Sequence, residues 1–452
     1  MGTIMMALLG GSMLCGAADG VWMAGVARAD ITPQEPMWLA GYAARDREAE
    51  GALHPLWIKA LALRDAAGNQ AVLVTADILG FPKAMSDRIR DRLRDRLGLE
   101  RAAIILNASH THSGPVINES LMCMYPLDSQ GIEKVKRYSD ALEDRVVSLV
   151  EAAFADMRPA QLASANGVTR FAVNRRNNKE AEILDTYDFK GPVDHAVPVL
   201  RVTGADGAVA ALVFGYACHG TVLSGYEWCG DYPGYAQIAI EAAHPGATAL
   251  FFAGCGADQN PLPRRSVALA EQYGKELAAA VERALADPMR AFDPVLQTAY
   301  IEQELLLETP PTRDQLVAYA KTAAPHNRNA AEAMIAQLDA GQSLRTSYPY
   351  PVQLWRLGEQ NVVALGGEVV VDYAIFIKRL LGRDTFVMGF SNDLMSYIPS
   401  VRVLNEGGYE GETAQMEYGM PAKWRNDVER RVLDTVKELA ARLGALPRGE
   451  TP

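Results

Sequence analysis

The chain has no excess of basic residues and no apolar stretch after its first residues that is long enough to cross a bilayer. Lys and Arg together number 44 against 55 Asp and Glu, which gives a formal net charge of −11. This balance argues against a nucleic-acid-binding surface. A membrane-spanning helix needs ~20 uninterrupted apolar residues, and none occurs after residue 18. We therefore expect neither a nucleic-acid partner nor a transmembrane segment.

Cysteine is too scarce to build the fold. Five Cys occur among 452 residues, without CxxC spacing, which is too few for a scaffold based on disulfides. Serine- and glycine-rich linkers, repeats of fixed period and low-complexity tracts are also missing. What remains, 49% hydrophobic and 22% charged, is the composition of a globular protein. These features favour one large domain.

The chain begins with an apolar run, MGTIMMALLGGSMLCGAA, that is too short to span a bilayer and ends in small residues. This pattern is typical of a secretory signal peptide, although no Lys or Arg precedes it. A lipid anchor on Cys15 is disfavoured because Leu14 stands where a small residue is expected. We predict a signal peptide over residues 1–18, a single domain over 19–452, and a secreted or periplasmic protein.

Apolar β-rich runs alternate with helical ones along the rest of the chain. Strands are predicted at 72–76, 103–107, 208–218, 247–253, 297–307 and 352–365. Helices are predicted at 83–97, 140–157, 264–286 and 421–443, with a charged helical insertion over 311–342. The alternation predicts an α/β fold, in which a mixed β-sheet core is flanked by helices.

Polar side chains gather where predicted strands end, the position at which α/β sheets usually place their sites. His110 and His112 follow one strand, and His219 follows another. In an extended segment, residues two apart point the same way, so both rings of HTH reach one site. Glu368 follows two glycines in an apolar run, where a carboxylate is costly to bury unless paired or metal-bound. Imidazole and carboxylate ligands are those of catalytic zinc, and the alternative is a set of hydrogen-bonded histidines in turns.

An ordered set of motifs resembles a known family. The motifs are ADITP near Ala29, AGYAARD at Ala40, NASHTHSGP at Asn107, ACHGT at Ala217, GDYPGYA at Gly230 and YEGETA at Tyr409. Together they are similar to the catalytic domain of neutral/alkaline ceramidases. The resemblance implies a zinc-dependent amidase of sphingolipid metabolism that acts on a lipid amide. We expect the ceramidase-like catalytic domain without the family's C-terminal immunoglobulin-like domain.

The resemblance also implies roles for single residues. Its implied zinc ligands are His110, His219, Glu368 and Tyr397. Its implied contacts with the substrate or its oxyanion come from His112, Arg175 and Tyr409. Arg176 is a rival of Arg175, and Tyr397 and Arg175 also admit purely structural roles. Asp231 is expected to support a histidine, with a simple turn residue as the alternative.

One departure from the family pattern bears on catalysis. The family's GDVSPN-like segment carries a catalytic serine, whereas this chain reads GADQNP and places Asn260 there. An amide cannot act as an acyl-enzyme nucleophile, but it can orient a substrate or donate to an oxyanion. The expected nucleophile is therefore a zinc-activated water. Two alternatives stay open: a ligand-binding protein without catalysis, and a hydrolase of an ester or a carbohydrate N-acetyl group.

Overall fold

The computed structural model describes residues 20–446. The predicted signal peptide, with Cys15, lies outside the described residues. Within 20–446 the four cysteines are free thiols. No helix in this part of the chain is long and apolar enough to cross a membrane.

The described residues form nineteen strands and ten α-helices. The strands are β1 (Trp22–Asp30), β2 (Gly51–Ala52), β3 (Trp57–Arg64), β4 (Gln70–Ala76), β5 (Ile104–Ala108), β6 (Arg158–Val168), β7 (Ala172–Asn174), β8 (Ala196–Gly204), β9 (Val209–Tyr216), β10 (Glu227–Trp228), β11 (Thr248–Ala253), β12 (Gln259–Pro261), β13 (Arg290–Ala291), β14 (Leu296–Leu306), β15 (Ser347–Leu357), β16 (Gln360–Leu365), β17 (Glu368–Val369), β18 (Phe386–Met388) and β19 (Tyr397–Ile398). The helices are α1 (Lys83–Leu97), α2 (Ser129–Ala155), α3 (Asp231–Ala243), α4 (Val267–Ala286), α5 (Arg313–Ala320), α6 (Pro325–Asp339), α7 (Val371–Leu381), α8 (Val401–Glu406), α9 (Gly408–Gly411) and α10 (Val428–Arg442).

The core of the molecule is a nine-stranded sheet in the order β11-β9-β8-β6-β1-β3-β4-β5, with β13 added beside β6. The two outermost pairs are parallel, and the pairs between them are antiparallel. Helices α2, α3 and α4 pack against this sheet. The predicted mixed sheet flanked by helices is confirmed.

The sheet curls until its two edge strands meet at the end where the polar motifs follow. Asn107 at the end of β5 accepts a hydrogen bond from the backbone N–H of Ala253 in β11, at 3.0 Å. Its amide also donates to the carbonyl of Gly389, at 2.8 Å, beyond β18. A single buried amide thus joins both edges of the large sheet to the second sheet. The loops after β5, β9 and β11 consequently converge.

A second sheet has the order β14-β15-β16-β18, and three two-stranded ladders, β2 with β10, β7 with β12 and β17 with β19, complete the strand pairings of the described residues. Together with α7 and α10 the second sheet forms a separate apolar cluster. Helices α5 and α6 form the predicted insertion between β14 and β15 and have a small apolar core of their own. No immunoglobulin-like sandwich occurs within residues 20–446, the last helix of which is α10.

Several predicted boundaries were wrong. The predicted strand 352–365 is two antiparallel strands joined by a turn at Gly358, whose φ is +58°; both strands are apolar, which hid the turn. Helix α2 begins at Ser129, since the Asp128 carboxylate accepts from the N–H of Gly131 and caps it there. Helix α10 begins later than predicted because the preceding residues pair with the end of β14. Trp424 forms a β-bridge with Leu307, and the N–H of Arg425 donates to the carbonyl of Leu306.

Candidate metal centre and active site

His110 stands two residues beyond β5, in a backbone turn. Its φ is +56°, so the prediction that HTH is extended was wrong. Because the chain turns there, the rings of His110 and His112 meet by a different geometry, with their Nε2 atoms 3.2 Å apart. The next residue, Thr111, bridges to Gly220 in the loop that carries His219. The turn therefore brings the loops after β5 and β9 together.

The two predicted histidine ligands are held in the same way. The Nδ1 atom of His110 lies 2.7 Å from the carbonyl oxygen of Leu79. The Nδ1 atom of His219 lies 2.8 Å from the carbonyl oxygen of Gly256. A carbonyl oxygen only accepts, so Nδ1 donates in both rings and the neutral form of each leaves a lone pair on Nε2.

Both lone pairs face the carboxylate of Glu368. Its Oε2 atom is 3.1 Å from Nε2 of His219 and 3.5 Å from Nε2 of His110. Burial, followed by the positive charge of Arg175, lowers the pKa of His219 to about 4, so this imidazole is neutral at pH 7. Three buried electron-pair donors thus point at each other, an arrangement that suits a divalent cation between them.

The second pair of predicted ligands is built by two very short strands. Strand β17 pairs with β19 in parallel, with Glu368 opposite Tyr397. Both side chains are buried. Their approach depends on Gly367, where φ is +73° and a Cβ would lie 2.5 Å from the carbonyl oxygen of Ser396. Burial, then the negative charge of Glu368, raises the pKa of Tyr397 well above its usual value. Tyr397 thus lies beside the cluster.

Arg175 links Tyr397 to the rest of the site. It follows β7, which pairs with β12, so it lies next to Asn260. Its Nη2 donates to the Tyr397 hydroxyl at 3.0 Å, its Nη1 to Asn260 Oδ1 at 3.4 Å, and its Nε to Glu410 Oε1 at 2.7 Å. Arg176 donates to the other oxygen of Glu410, Oε2, and to Glu406 at the end of α8, without a hydrogen bond to Tyr397 or Asn260. The geometry favours Arg175 over its rival.

His112 differs from the two other imidazoles. Its ring packs against Tyr42, with centroids 4.8 Å apart, and burial, followed by the charges of His110 and His219, lowers its pKa well below the usual value. Its Nδ1 is buried without a hydrogen-bond partner among the described residues. Since a ligating imidazole is normally fixed through its other nitrogen, His112 is better placed to face a substrate.

Tyr409 lies at the rim of the site. Its ring meets that of Tyr397 nearly edge-on, at 5.3 Å between centroids, and 42% of the residue is exposed. Its hydroxyl donates to Glu417 Oε2 at 2.8 Å, and His326 of α6 lies 3.4 Å from the other oxygen of Glu417. The predicted oxyanion donor is therefore held by a carboxylate in this structure.

One prediction about a supporting residue was wrong. Among the described residues, the Asp231 carboxylate forms no hydrogen bond with a histidine. Its carboxylate accepts from the backbone N–H groups of Val222, Leu223 and Tyr232, at 2.8–3.2 Å, while burial raises its pKa to about 6. Because the N–H groups of the loop after His219 are closer in the fold than any imidazole, Asp231 orders that loop instead.

Two residues of the site were not predicted from the sequence. Glu410 bonds both Arg175 and Arg176, and the two guanidinium groups outweigh burial and lower its pKa. Tyr418 donates to Oε1 of Glu368. The only hint was the location of Glu410 inside YEGETA; Tyr418 lies outside every motif.

Comparisons with known proteins identify the family and the fold. The family model "Neutral/alkaline non-lysosomal ceramidase, N-terminal" matches residues 22–265. That range includes His110, His112, Arg175, His219 and Asn260. The remaining site residues, Glu368, Tyr397 and Tyr409, lie beyond it.

Similar proteins include neutral ceramidase B of Dictyostelium discoideum, 27% identical over 237 residues, which are 50% of this chain and 32% of that protein. A neutral ceramidase of Mycobacterium tuberculosis is 26% identical over 233 residues, 49% of this chain and 36% of that protein. The chain thus covers about a third of the length of these relatives.

Two solved structures share the fold. The crystal structure of neutral ceramidase from Pseudomonas aeruginosa has a TM-score of 0.74 at 19% identity, over 96% of this chain and 76% of the other. A structure described as "Ceramidase complexed with C2" has a TM-score of 0.73 at 19% identity, over 96% and 77%. With the family model matching more than half of its residues, the chain belongs to the neutral/alkaline non-lysosomal ceramidase family.

Proposed function

We propose that the chain is a zinc-dependent hydrolase that cleaves the amide bond of an N-acyl lipid of the ceramide type. The observation that carries the proposal is the convergence of two imidazole Nε2 atoms on one carboxylate oxygen, all buried. Zinc would be held by His110, His219, Glu368 and Tyr397. A bound zinc ion supplies Lewis acidity, polarising a carbonyl and lowering the pKa of water to about 7.

The chain's own residues would prepare the substrate carbonyl for attack. Arg175 carries a permanent positive charge beside Tyr397, and His112 turns its Nε2 atom toward the cluster, 3.2 Å from Nε2 of His110. Tyr409 stands at the rim, where its hydroxyl can reach a bound substrate when it leaves Glu417. Together they would stabilise developing negative charge on the carbonyl oxygen, as oxyanion-hole donors do.

Asn260 sets the type of nucleophile. Its amide oxygen accepts from Arg175, so it would orient Arg175 and the substrate without forming a covalent bond. We therefore propose that water attacks directly and that no acyl-enzyme forms. Pre-steady-state kinetics with an activated ester or amide should show no burst of leaving group, whereas a burst equal to the enzyme concentration would exclude direct attack.

The decisive experiment is a substrate panel with and without a chelator. N-acyl sphingoid amides, simpler N-acyl amides, short-chain esters and N-acetylated sugars are incubated with purified protein. We expect turnover of a lipid amide, its loss on chelation and its return with zinc. Preference for esters or N-acetyl sugars would change the substrate class, and no turnover of any member would favour a binding protein.

Export from the cytoplasm is part of the proposal and rests on residues 1–18 alone. N-terminal sequencing of the protein recovered from the periplasm or the medium should give a chain that starts near Asp19. Recovery of the full-length chain in the cytoplasm alone would contradict it.

A further inference from the structure

The two oxygens of the Glu368 carboxylate have different partners. Oε2 faces Nε2 of His110 and of His219. Oε1 accepts a hydrogen bond from the hydroxyl of Tyr418. The carboxylate is thus divided between one oxygen for the imidazole cluster and one oxygen for a tyrosine.

The segment that carries Tyr418 is fastened to the strand that carries Tyr397. Residues 413–418 form a 3₁₀-helix that ends at Gly419. Within it, Gln415 accepts from the hydroxyl of Ser396 and donates to the carbonyl of Tyr397 at 3.4 Å. Trp424 donates to the same carbonyl at 2.8 Å. These hydrogen bonds hold the segment that carries Tyr418 next to Tyr397.

The rings confirm this placement. The Tyr418 ring meets the Tyr397 ring edge-on, with centroids 6.1 Å apart and planes at 80°. The Tyr418 ring therefore packs against Tyr397 while its hydroxyl bonds Glu368. Its hydroxyl hydrogen has a fixed acceptor on the side of the carboxylate away from the histidines.

A carboxylate without such a partner can rotate and offer a metal either one oxygen or both. A hydrogen bond to one oxygen fixes the rotation and presents the other oxygen alone. Partners of this kind orient metal ligands, and their loss typically weakens metal affinity about 10- to 100-fold. We propose that Tyr418 is a positioning residue, which fixes Glu368 so that Oε2 alone is presented to the metal. The inference rests on the proposed zinc site.

The test measures zinc affinity, not turnover. Metal-free wild type, Tyr418→Phe and Tyr138→Phe are titrated with zinc in competition with a chromophoric chelator. Tyr138 is the matched control because its hydroxyl also donates to a protein acceptor, the carbonyl of Ile31 just after β1, and neither residue belongs to the site. We expect Tyr418→Phe to bind zinc about 10- to 100-fold more weakly and Tyr138→Phe to bind like wild type.

A double-variant cycle guards against a merely structural effect. If Tyr418 acts through Glu368, then Tyr418→Phe should cause no further loss of affinity in a Glu368→Gln background. The ligand-field spectrum of the Co²⁺-loaded protein should change in Tyr418→Phe and not in Tyr138→Phe. Equal losses with and without Glu368, or equal effects of the two phenylalanine variants, would overturn the inference.

Failure of the inference is distinguishable from failure of the proposed function. Tight zinc binding by wild type and Tyr418→Phe alike, lost in His110→Ala, would overturn the role of Tyr418 and leave the metal site standing. Absence of zinc binding by the wild type would overturn both.

Discussion

Single hydrogen bonds decide what the imidazoles of this site can do. His110 and His219 each give their Nδ1 proton to a backbone carbonyl, which leaves Nε2 of the neutral ring free to bind a cation. His112 lacks such a carbonyl. Residues of one type, close in space, are thereby divided into two candidate ligands and one candidate substrate contact.

Arg175 provides a prediction that separates its role from that of its neighbour. Arg175→Lys keeps the charge but loses the planar fork that reaches Tyr397, Asn260 and Glu410 together. Such a change is not conservative. We expect kcat/KM for the amide substrate to fall by about 10²–10³, the loss typical of an oxyanion-stabilising donor.

Arg176→Lys is the matched control for this prediction. Arg176 bonds Glu406, Glu410 and the carbonyl of Gly407 without touching Tyr397. The fall in kcat/KM for Arg176→Lys should be at least about tenfold smaller than for Arg175→Lys, since the Arg176 guanidinium does not bond Tyr397 or Asn260. Equal losses in the two variants would remove Arg175 from the site.

The sequence identifies some of these residues and not others for a physical reason. A glutamate after two glycines in an apolar run must be paired or bound to a metal if it is buried, so Glu368 was recognisable as a site residue. Histidines at strand ends were recognisable too. A tyrosine such as Tyr418, in a stretch without periodicity, has many explanations. Its role depends on a contact across 50 positions of the chain, which local pattern does not encode.

Among the elements, the shortest strands matter most for the site. The ladder of β17 and β19 has two residue pairs, and it sets Glu368 beside Tyr397. The sequence pattern singled out the two glycines before Glu368, but it did not predict strand β19. Strand pairing over long sequence distance depends on the whole fold, whereas α1 and β11 follow from local periodicity and were predicted almost to the residue.

Gly367 tests whether this ladder positions the site. Gly367→Ala places a Cβ on a residue whose backbone is left-handed. That Cβ would lie 2.5 Å from the carbonyl oxygen of Ser396. Left-handed backbone costs a non-glycine residue roughly 1–2 kcal/mol, and the clash adds to it. We expect the free energy of unfolding in urea to fall by more than about 2 kcal/mol, together with a loss of zinc affinity.

Gly68→Ala is the control for Gly367→Ala. Gly68 also has a positive φ, of +92°, but a Cβ there meets nothing within 4 Å. It should therefore show only the backbone cost of roughly 1–2 kcal/mol and leave zinc affinity unchanged. If both variants lose equal stability and keep equal affinity, the close approach at Gly367 has no special role.

The whole molecule brings two sheets together around one cluster of polar groups. Asn107 joins the edges of the large sheet and bonds Gly389, next to the second sheet. The loops after β5, β9 and β11 therefore face Glu368 and Tyr397, which lie on the separate short ladder of β17 and β19. The sequence predicted the strand ends, but it did not predict the curl of the sheet, since that depends on pairings among distant strands. We propose that residues 19–452 act as one domain for this reason.

The stability of the molecule should depend on pH through Asp393. Its carboxyl is buried and accepts from the Tyr348 hydroxyl at 2.6 Å, and burial raises its pKa to about 7. In the unfolded chain the pKa of an aspartate is ~3.9. The folded state therefore binds more protons between about pH 4 and pH 7, so its contribution to stability is complete below pH 4 and is lost as the pH rises to 7.

Asp393→Asn removes this dependence. Below pH 4 the variant and the wild type should have similar free energies of unfolding, and at pH 8 the variant should be the more stable. The difference can reach about 4 kcal/mol, because one pKa unit corresponds to ~1.4 kcal/mol. Asp140→Asn, at an exposed position of α2, should show no such change. An Asp393→Asn variant less stable than wild type at pH 8 would refute the raised pKa.

The most direct test of the central claim is the zinc content and zinc coordination of the purified protein, measured by elemental analysis and X-ray absorption. The account predicts one zinc per chain, bound by two imidazole nitrogens and by oxygen atoms at ~2.0–2.2 Å, and lost in His110→Ala and His219→Ala. Protein without stoichiometric zinc, or zinc whose coordination is the same in both variants as in the wild type, would contradict it.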